Sequence, residues 1–309
     1  DQEGEVPIRG SLELFLRWSP LQVAFMLQAV RRLTVLAYHG IDDPASFRRQ
    51  LGYLARTMRP VSMDDVLKAM YGGRSLPARA VLLTFDDGHR SLLEAGLPLL
   101  RERGFPATAF VVAGALDTDE PFWWTETEQL VRQGGRAARL PGLDPAAMVR
   151  QLKRLPDGER LEVIDELRAT AQGPAPRTPQ LRRDELPLLE AGGITVGNHT
   201  VTHPCLPRCD AAKAVAEVSE AHRLLGEALG HEPRTFAYPN GDWDERAEVA
   251  LARAGYEAAF LFDHRSNPAT PRHPLRISRL RVNSTTSLGR FAMIVSGLHP
   301  ALHRARGRS

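Results

Sequence analysis

Cysteine is almost missing from this chain: Cys205 and Cys209 are the only two among 309 residues. That count excludes a disulfide-framed fold, and the pair is read either as one local bridge or as two reduced thiols. Lysine is nearly as scarce, at Lys68, Lys153 and Lys213, so arginine supplies almost all of the 40 basic side chains. Against 37 acidic residues the formal net charge is only +3. Aromatics make up 6% of the chain, and no basic stripe interleaved with them stands out. Nucleic acid is therefore not an expected partner. No run of 18 or more apolar residues occurs, which argues against a transmembrane segment. The chain shows no signal peptide, but it starts at Asp1 without Met, which leaves a removed leader open.

What is present suits one large α/β domain: 43% hydrophobic and 25% charged residues, in a chain long enough for a full core. Apolar runs at Leu33–Tyr38, Ala80–Phe85, Ala107–Val112, Ile194–Val196, Thr235–Tyr238, Ala258–Phe262 and Leu280–Val282 read as buried strands. Between them, helical spacing covers Pro44–Arg59, Met63–Met70, Arg90–Arg103, Asp210–Leu229 and Glu245–Ala254. Alternating buried strands and helices predict parallel strands with helical crossovers. Six or seven such units favour a distorted (β/α) barrel over an open sheet. Residues 1–32 form an N-terminal helical segment of two stretches broken near Pro20. Residues 33–286 read as the main domain, with a helical insertion at about 118–187. Residues 287–309 hold a closing helix, Leu288–Leu302, and a basic tail from His303 that reads as a solvated terminus.

In a barrel the chemistry sits at the carboxyl ends of the strands. That rule selects His39, Asp86, Asp87, Asn198, His199, Asn240 and Asp263. Asp86 and Asp87 stand side by side in Thr84-Phe85-Asp86-Asp87-Gly88, which is costly unless a cation or proton is shared. A helix N-cap with a turn is the plain alternative. His199 and His203 meet on one face if their loop takes a helical turn, an arrangement that binds a divalent ion; capping or surface histidines are the alternative. Taken together, one carboxylate and two imidazoles leave open positions on an ion for water and substrate, and the second carboxylate is free to act as a base.

These motifs resemble the polysaccharide deacetylase family, the NodB homology domain of carbohydrate esterase family 4 type. Residues 84–88 (TFDDG) and 199–203 (HTVTH) match its first two motifs residue for residue. The likeness runs on through Gly104-Phe105-Pro106-Ala107-Thr108-Ala109-Phe110 and covers roughly Leu33 to Val282. It implies that Asp86 is the general base and that Asp87, His199 and His203 hold a divalent metal. Zinc is expected first, with cobalt, nickel, iron or manganese open. The substrate implied is an N-acetylated carbohydrate. In the third motif, Ala237-Tyr238-Pro239-Asn240-Gly241 puts Ala237 where the family has an arginine that orients the base. Asn240 stands where a backbone N–H meets the oxyanion, with Tyr238 beside it. The last motif's acid histidine is missing from Leu275–Leu280, and His39 is the first substitute, ahead of His264 and His273. Its alternative role is an orienting hydrogen bond. Trp123 and Trp124 either stack on sugar or anchor the insertion. Many family members work on envelope polymers, so the cell envelope or the exterior is the expected location, with the cytoplasm open. A metal-dependent hydrolase of small or non-sugar amides and a catalytically weakened sugar-binding homologue are the rival readings. Oligomeric state is not legible.

Overall fold

A computed structural model describes residues 20–306. The first of the two N-terminal stretches expected before Pro20 lies outside them. In chain order the elements are α1 (Pro20–Ala29), β1 (Arg32–Tyr38), α2 (Pro44–Thr57), β2 (Arg59–Pro60), α3 (Met63–Tyr71), β3 (Ala80–Phe85), α4 (Leu97–Arg103) and β4 (Ala107–Val111). The stretch read as an insertion carries α5 (Trp123–Arg132), α6 (Pro145–Leu152) and α7 (Asp157–Thr170), and α8 (Leu186–Ala191) follows it. Then follow β5 (Ile194–Asn198), α9 (Ala211–Leu229), β6 (Thr235–Ala237), α10 (Glu245–Arg253), β7 (Ala258–Phe260), β8 (Asn267–Pro268) and β9 (Leu280–Arg281). Two helices, α11 (Leu288–Ser296) and α12 (Leu298–Arg306), close the described chain.

Strands β7-β6-β5-β4-β3-β1 run parallel in that order. The ring is completed by residues 277–281. Ile277 bridges Phe260 at one side, and Leu280 and Arg281 pair with Leu36 and Ala37 of β1 at the other. The distorted (β/α) barrel expected from the strand pattern is what forms. One correction concerns direction: β8 lies antiparallel on β1, so the sheet is mixed. Asn267 and Pro268 make too short a segment to stand out in an apolar pattern. A second concerns the closing helix, which is two helices broken at Gly297, whose φ is 87°. A third concerns the helix after β3, which opens on a wide π-type turn, Leu92–Gly96.

Alternation along each strand sorts the core into two layers. Leu36, Tyr38, Val81, Leu83, Phe85, Ile194 and Val196 face the helices, in one cluster with Leu280 and Val282. Leu33, Val35, Leu82, Phe110, Ala237, Phe260 and Ile277 fill the barrel interior. The period of two then carries His39, Asp86, His199 and Arg279 to the inner side at the carboxyl rim. The insertion helices α5, α6 and α7 pack on one another around Leu130, Leu152 and Leu167. Helix α1 rests on α11, where Gln22 donates to the Ala292 carbonyl (3.1 Å).

Candidate active site

Three donor atoms converge over the β3 and β5 ends. Oδ1 of Asp87 lies 3.4 Å from His199 Nε2 and 3.5 Å from His203 Nε2. All three residues are buried. Donor atoms held about 2.0–2.2 Å from one ion at tetrahedral angles stand about 3.3–3.6 Å apart, which is the spacing found. The His199 Nδ1 sits 2.7 Å from the Ala237 carbonyl, which can only accept. The ring proton is therefore assigned to Nδ1, and Nε2 presents a lone pair to Asp87. Burial, with the neighbouring His199 imidazole, pushes His203 down to about 3, so its ring is neutral at ordinary pH. Burial opposes ionisation of Asp87, and its carboxyl lies well below its usual range only where His199 and His89 donate to it; with the His199 proton on Nδ1, a cation between the carboxylate and the ring supplies that opposing charge. Asp87 Oδ1 has no hydrogen-bond partner in the structure. A buried carboxylate facing the His199 lone pair and the neutral His203 ring fits a divalent cation and is costly without one.

The loop that brings the histidines together is not the helical turn the spacing suggested. Thr200 and His203 take positive φ, 71° and 53°, and side chains hold the bend. Asn198 accepts from the Thr200 N–H (2.7 Å), and Thr200 Oγ1 accepts from the His203 N–H (3.0 Å). Glu217 on α9 takes the N–H groups of Val201 and Thr202, both at 2.9 Å, and the Thr202 hydroxyl at 2.6 Å. The Trp123 indole N–H donates to the His203 carbonyl (3.0 Å), which ties α5 to this loop. Trp124 is half-buried, stacks on Phe122 and lies 4.5 Å from the His203 ring centre. Gly197 is needed here because a Cβ would meet the Phe110 ring at 2.7 Å.

Asp86 is met by a residue the motifs did not point to. Arg279 donates Nη1 and Nη2 to its two oxygens at 2.6 and 2.7 Å, and the guanidinium is fully buried. Its Nε donates to the Leu261 carbonyl (2.8 Å) and Nη1 also to Thr84 Oγ1 (3.1 Å). Burial alone would raise the Asp86 pKa; the guanidinium outweighs it and leaves the carboxyl below its ordinary value. Ala237 leaves the family's orienting arginine missing from the third motif, and Arg279, just before the strand that closes the barrel, pairs with Asp86 in its stead.

The remaining expectations divide. His39, Asp86, His199, His203 and Asn240 line one cavity of about 380 Å³. Asn240 takes φ 58°, a left-handed state that asparagine tolerates, and its side chain donates to Cys205 Sγ (3.4 Å). Gly241 follows at φ 79°, where a Cβ would strike the Phe262 backbone N at 2.2 Å. Tyr238 is a correction: alternation turns its side chain outward onto Phe236 under α9 and α10, away from the cavity. Cys205 and Cys209 are free, buried thiols. His89, unremarked in the sequence, places Nε2 3.5 Å from Asp87 Oδ2.

The described start of the basic tail, His303 to Ala305, is exposed as expected, yet His303 also reaches the site. His303 and His299 on α12 line the cavity and pack against His264, whose Nε2 lies 3.0 Å from His299 Nδ1. Burial, then these two imidazoles, push His264 down to about 3 from 6.5. Between those values the unfolded chain binds a proton that the folded chain refuses, so stability is present above the unfolded pKa and falls as pH drops towards 3. The slope expected from this group is about 1.4 kcal/mol per pH unit. Denaturant midpoints measured at pH 7 and 5 should converge in His264→Asn relative to the parent; equal slopes would show that His264 is protonated in the fold.

The family model for polysaccharide deacetylase matches residues 73–259, more than half of the chain. Over 95 residues, 27% of this chain, it is 30% identical to the poly-beta-1,6-N-acetyl-D-glucosamine N-deacetylase of Escherichia coli (strain K12). Over 69 residues, 22% of this chain, it is 39% identical to the chitooligosaccharide deacetylase of Bradyrhizobium sp. (strain ANU 289). These alignments span 14% and 32% of the two relatives. The structure of IcaB from Ammonifex degensii shares the fold with a TM-score of 0.59 at 20% identity, over 89% of this chain and 97% of that one.

Proposed function

The chain belongs to the polysaccharide deacetylase family, and on that premise we propose that it is a metal-dependent hydrolase removing N-acetyl groups from amino sugars of a polysaccharide or glycoconjugate. The observation that carries this reading is the convergence of one ligand atom each from the buried Asp87, His199 and His203, with Asp86 held below its ordinary pKa beside them. The relatives' substrates, poly-β-1,6-N-acetylglucosamine and chitooligosaccharide, support an N-acetylglucosamine unit. Two imidazole nitrogens and one carboxylate oxygen suit zinc. A divalent ion bound there polarises the amide carbonyl and acidifies water.

In this reading the side chains of the chain itself divide the proton work. Asp86, fixed by Arg279 and kept ionised, accepts the proton of the attacking water. The Asn240 backbone N–H, from a residue in the cavity lining, serves the oxygen that gains charge. His39 hands a proton to the departing amine. Burial lowers its pKa, with Asp87 and Asp86 pulling the other way, which makes it the stronger acid once protonated. Glu217 and Trp123 keep the His203 loop in register. The products are the free amine and acetate. We place the protein at the cell envelope or outside the cell, where such polymers lie.

The test is acetate release from N-acetylglucosamine oligomers by chelator-stripped protein before and after zinc is returned. Release should vanish on stripping and return with one equivalent of metal, and the melting temperature should rise on reloading. Release that is indifferent to chelation would end the reading.

A further inference from the structure

The two histidines that converge on Asp87 are not held in the same way. His199 has its Nδ1 on the Ala237 carbonyl at 2.7 Å, the kind of partner that usually fixes the ring of a metal-binding histidine. His203 turns Nε2 to Asp87 Oδ1 at 3.5 Å, but its buried Nδ1 meets no hydrogen-bond partner among the described residues. Its main chain is secured on both sides. The N–H goes to Thr200 Oγ1 and the carbonyl takes the Trp123 indole N–H, each at 3.0 Å. Those bonds fix the backbone and leave the ring to turn about χ2, a broad torsion for an imidazole.

Aromatic rings supply what the hydrogen bonds do not. The His203 ring centre lies 4.5 Å from that of Trp124, with the planes 55° apart, and 4.8 Å from that of His199, at 74°. Trp124 is in turn stacked on Phe122, 4.8 Å away and within 3° of parallel. Phe122 is buried, and its ring meets that of His89 edge to face at 5.3 Å. The Nε2 of His89 stands 3.5 Å from Asp87 Oδ2. The rings of His89, Phe122, Trp124 and His203 therefore form a continuous arch from one oxygen of Asp87 to the other. Trp123 and Trp124 open α5, and successive side chains leave a helix about 100° apart. Their rings stand at 89° to each other, so one tryptophan reaches the His203 main chain and the next reaches its ring.

We infer that Trp124 is a positioning residue for the metal: its indole, backed by Phe122, does the work of the missing Nδ1 hydrogen bond and holds the His203 ring with Nε2 towards Asp87. Helix α5 then belongs to the metal centre. This inference rests on the reading of Asp87, His199 and His203 as metal ligands, but metal binding can be measured apart from turnover. It also gives Trp124 a role distinct from stacking on sugar, and the two roles have different signatures. Loss of a ring that orients a ligand weakens the metal; loss of a sugar platform weakens the substrate.

Zinc affinity should be measured by chelator competition on the stripped chain and on its Trp124→Leu and Trp124→Phe variants. Leu should weaken zinc about 10- to 100-fold, the usual cost of losing an outer partner of a metal ligand. Phe keeps a ring face on His203 and should recover most of that loss. With cobalt in place of zinc, the visible absorption bands should shift in the Leu variant and hardly in the Phe variant, since they follow ligand geometry. At saturating zinc the Leu variant should keep the parent's KM for N-acetylglucosamine oligomers. Parent-like zinc affinity in the Leu variant, or equal losses in Leu and Phe, would overturn the inference. So would a raised KM that no amount of zinc lowers, which makes Trp124 a sugar platform. Should the stripped Leu chain melt well below the stripped parent, Phe122→Leu carries the same test: it leaves the indole but removes its backing. That variant should show a smaller loss of zinc affinity, and no loss at all would count against the arch. A parent that takes up no zinc sinks the hydrolase reading together with this one; a parent that binds zinc and releases no acetate sinks the hydrolase reading alone.

Discussion

Asp86→Asn should lower kcat/KM for acetate release by about 10²- to 10⁴-fold, the usual worth of a positioned general base, with the bound ion retained. Asp86 is not among the three residues, Asp87, His199 and His203, whose ligand atoms converge, so metal content is the control that separates loss of the base from loss of the centre. The carboxylate gives each oxygen to one nitrogen of Arg279, and each keeps a further lone pair with which to take a proton. Asparagine keeps the shape and one acceptor but takes no proton. It also leaves a fully buried guanidinium without its counter-charge, which costs about 3–5 kcal/mol. Rates must therefore be read well below the lowered melting point. A folded, metal-loaded Asn variant that keeps more than a tenth of the activity would make Asp86 a structural partner of Arg279 and move the base elsewhere.

Much of this site could be read from one sequence because strands alternate. Leu33, Val35 and His39 share a parity, as do Leu82 and Asp86, so placing the strands also placed the inward residues at their ends. The same period of two carried Tyr238 away from the cavity, a step missed when it was kept beside Asn240 as a neighbour in sequence. What short motifs do not encode is contact between distant segments. Glu217 sits on α9 with the pattern of an ordinary helix face, and only the fold sets its carboxylate under Val201 and Thr202. His303 is exposed, as a solvated end should be, but the break at Gly297 also turns α12 back so that its ring meets His264, a contact no local pattern encodes. The missing arginine was sought at position 237 because motifs are compared place by place. Charge compensation follows space instead, and 193 residues separate Asp86 from the arginine that serves it.

Arg279→Met should therefore have two separable effects. Stability should fall by about 3–5 kcal/mol, as when one partner of a buried ion pair is removed, read from denaturant unfolding at pH 7. The acid limb of the pH–rate profile should also move to higher pH. The sign follows from the forces on Asp86. Burial raises its pKa, Arg279 is the largest opposing influence, and His199 and His39 add less. With the arginine, the folded pKa lies below 3.8, so the pair's stabilisation is complete above that value and is lost only as pH falls through the lower one. Without the arginine, burial prevails and the base takes up a proton at higher pH, so activity at pH 5 should drop more than at pH 8. Arg279→Lys keeps the charge but cannot span both Asp86 oxygens while also reaching the Leu261 carbonyl and Thr84. Its limb should fall between those of the parent and the Met variant, with a rate deficit from the loosened carboxylate. If the limb of a folded Met variant stays where it was, Arg279 is a strut of barrel closure, and the ionisation of Asp86 is set by His199 and His39.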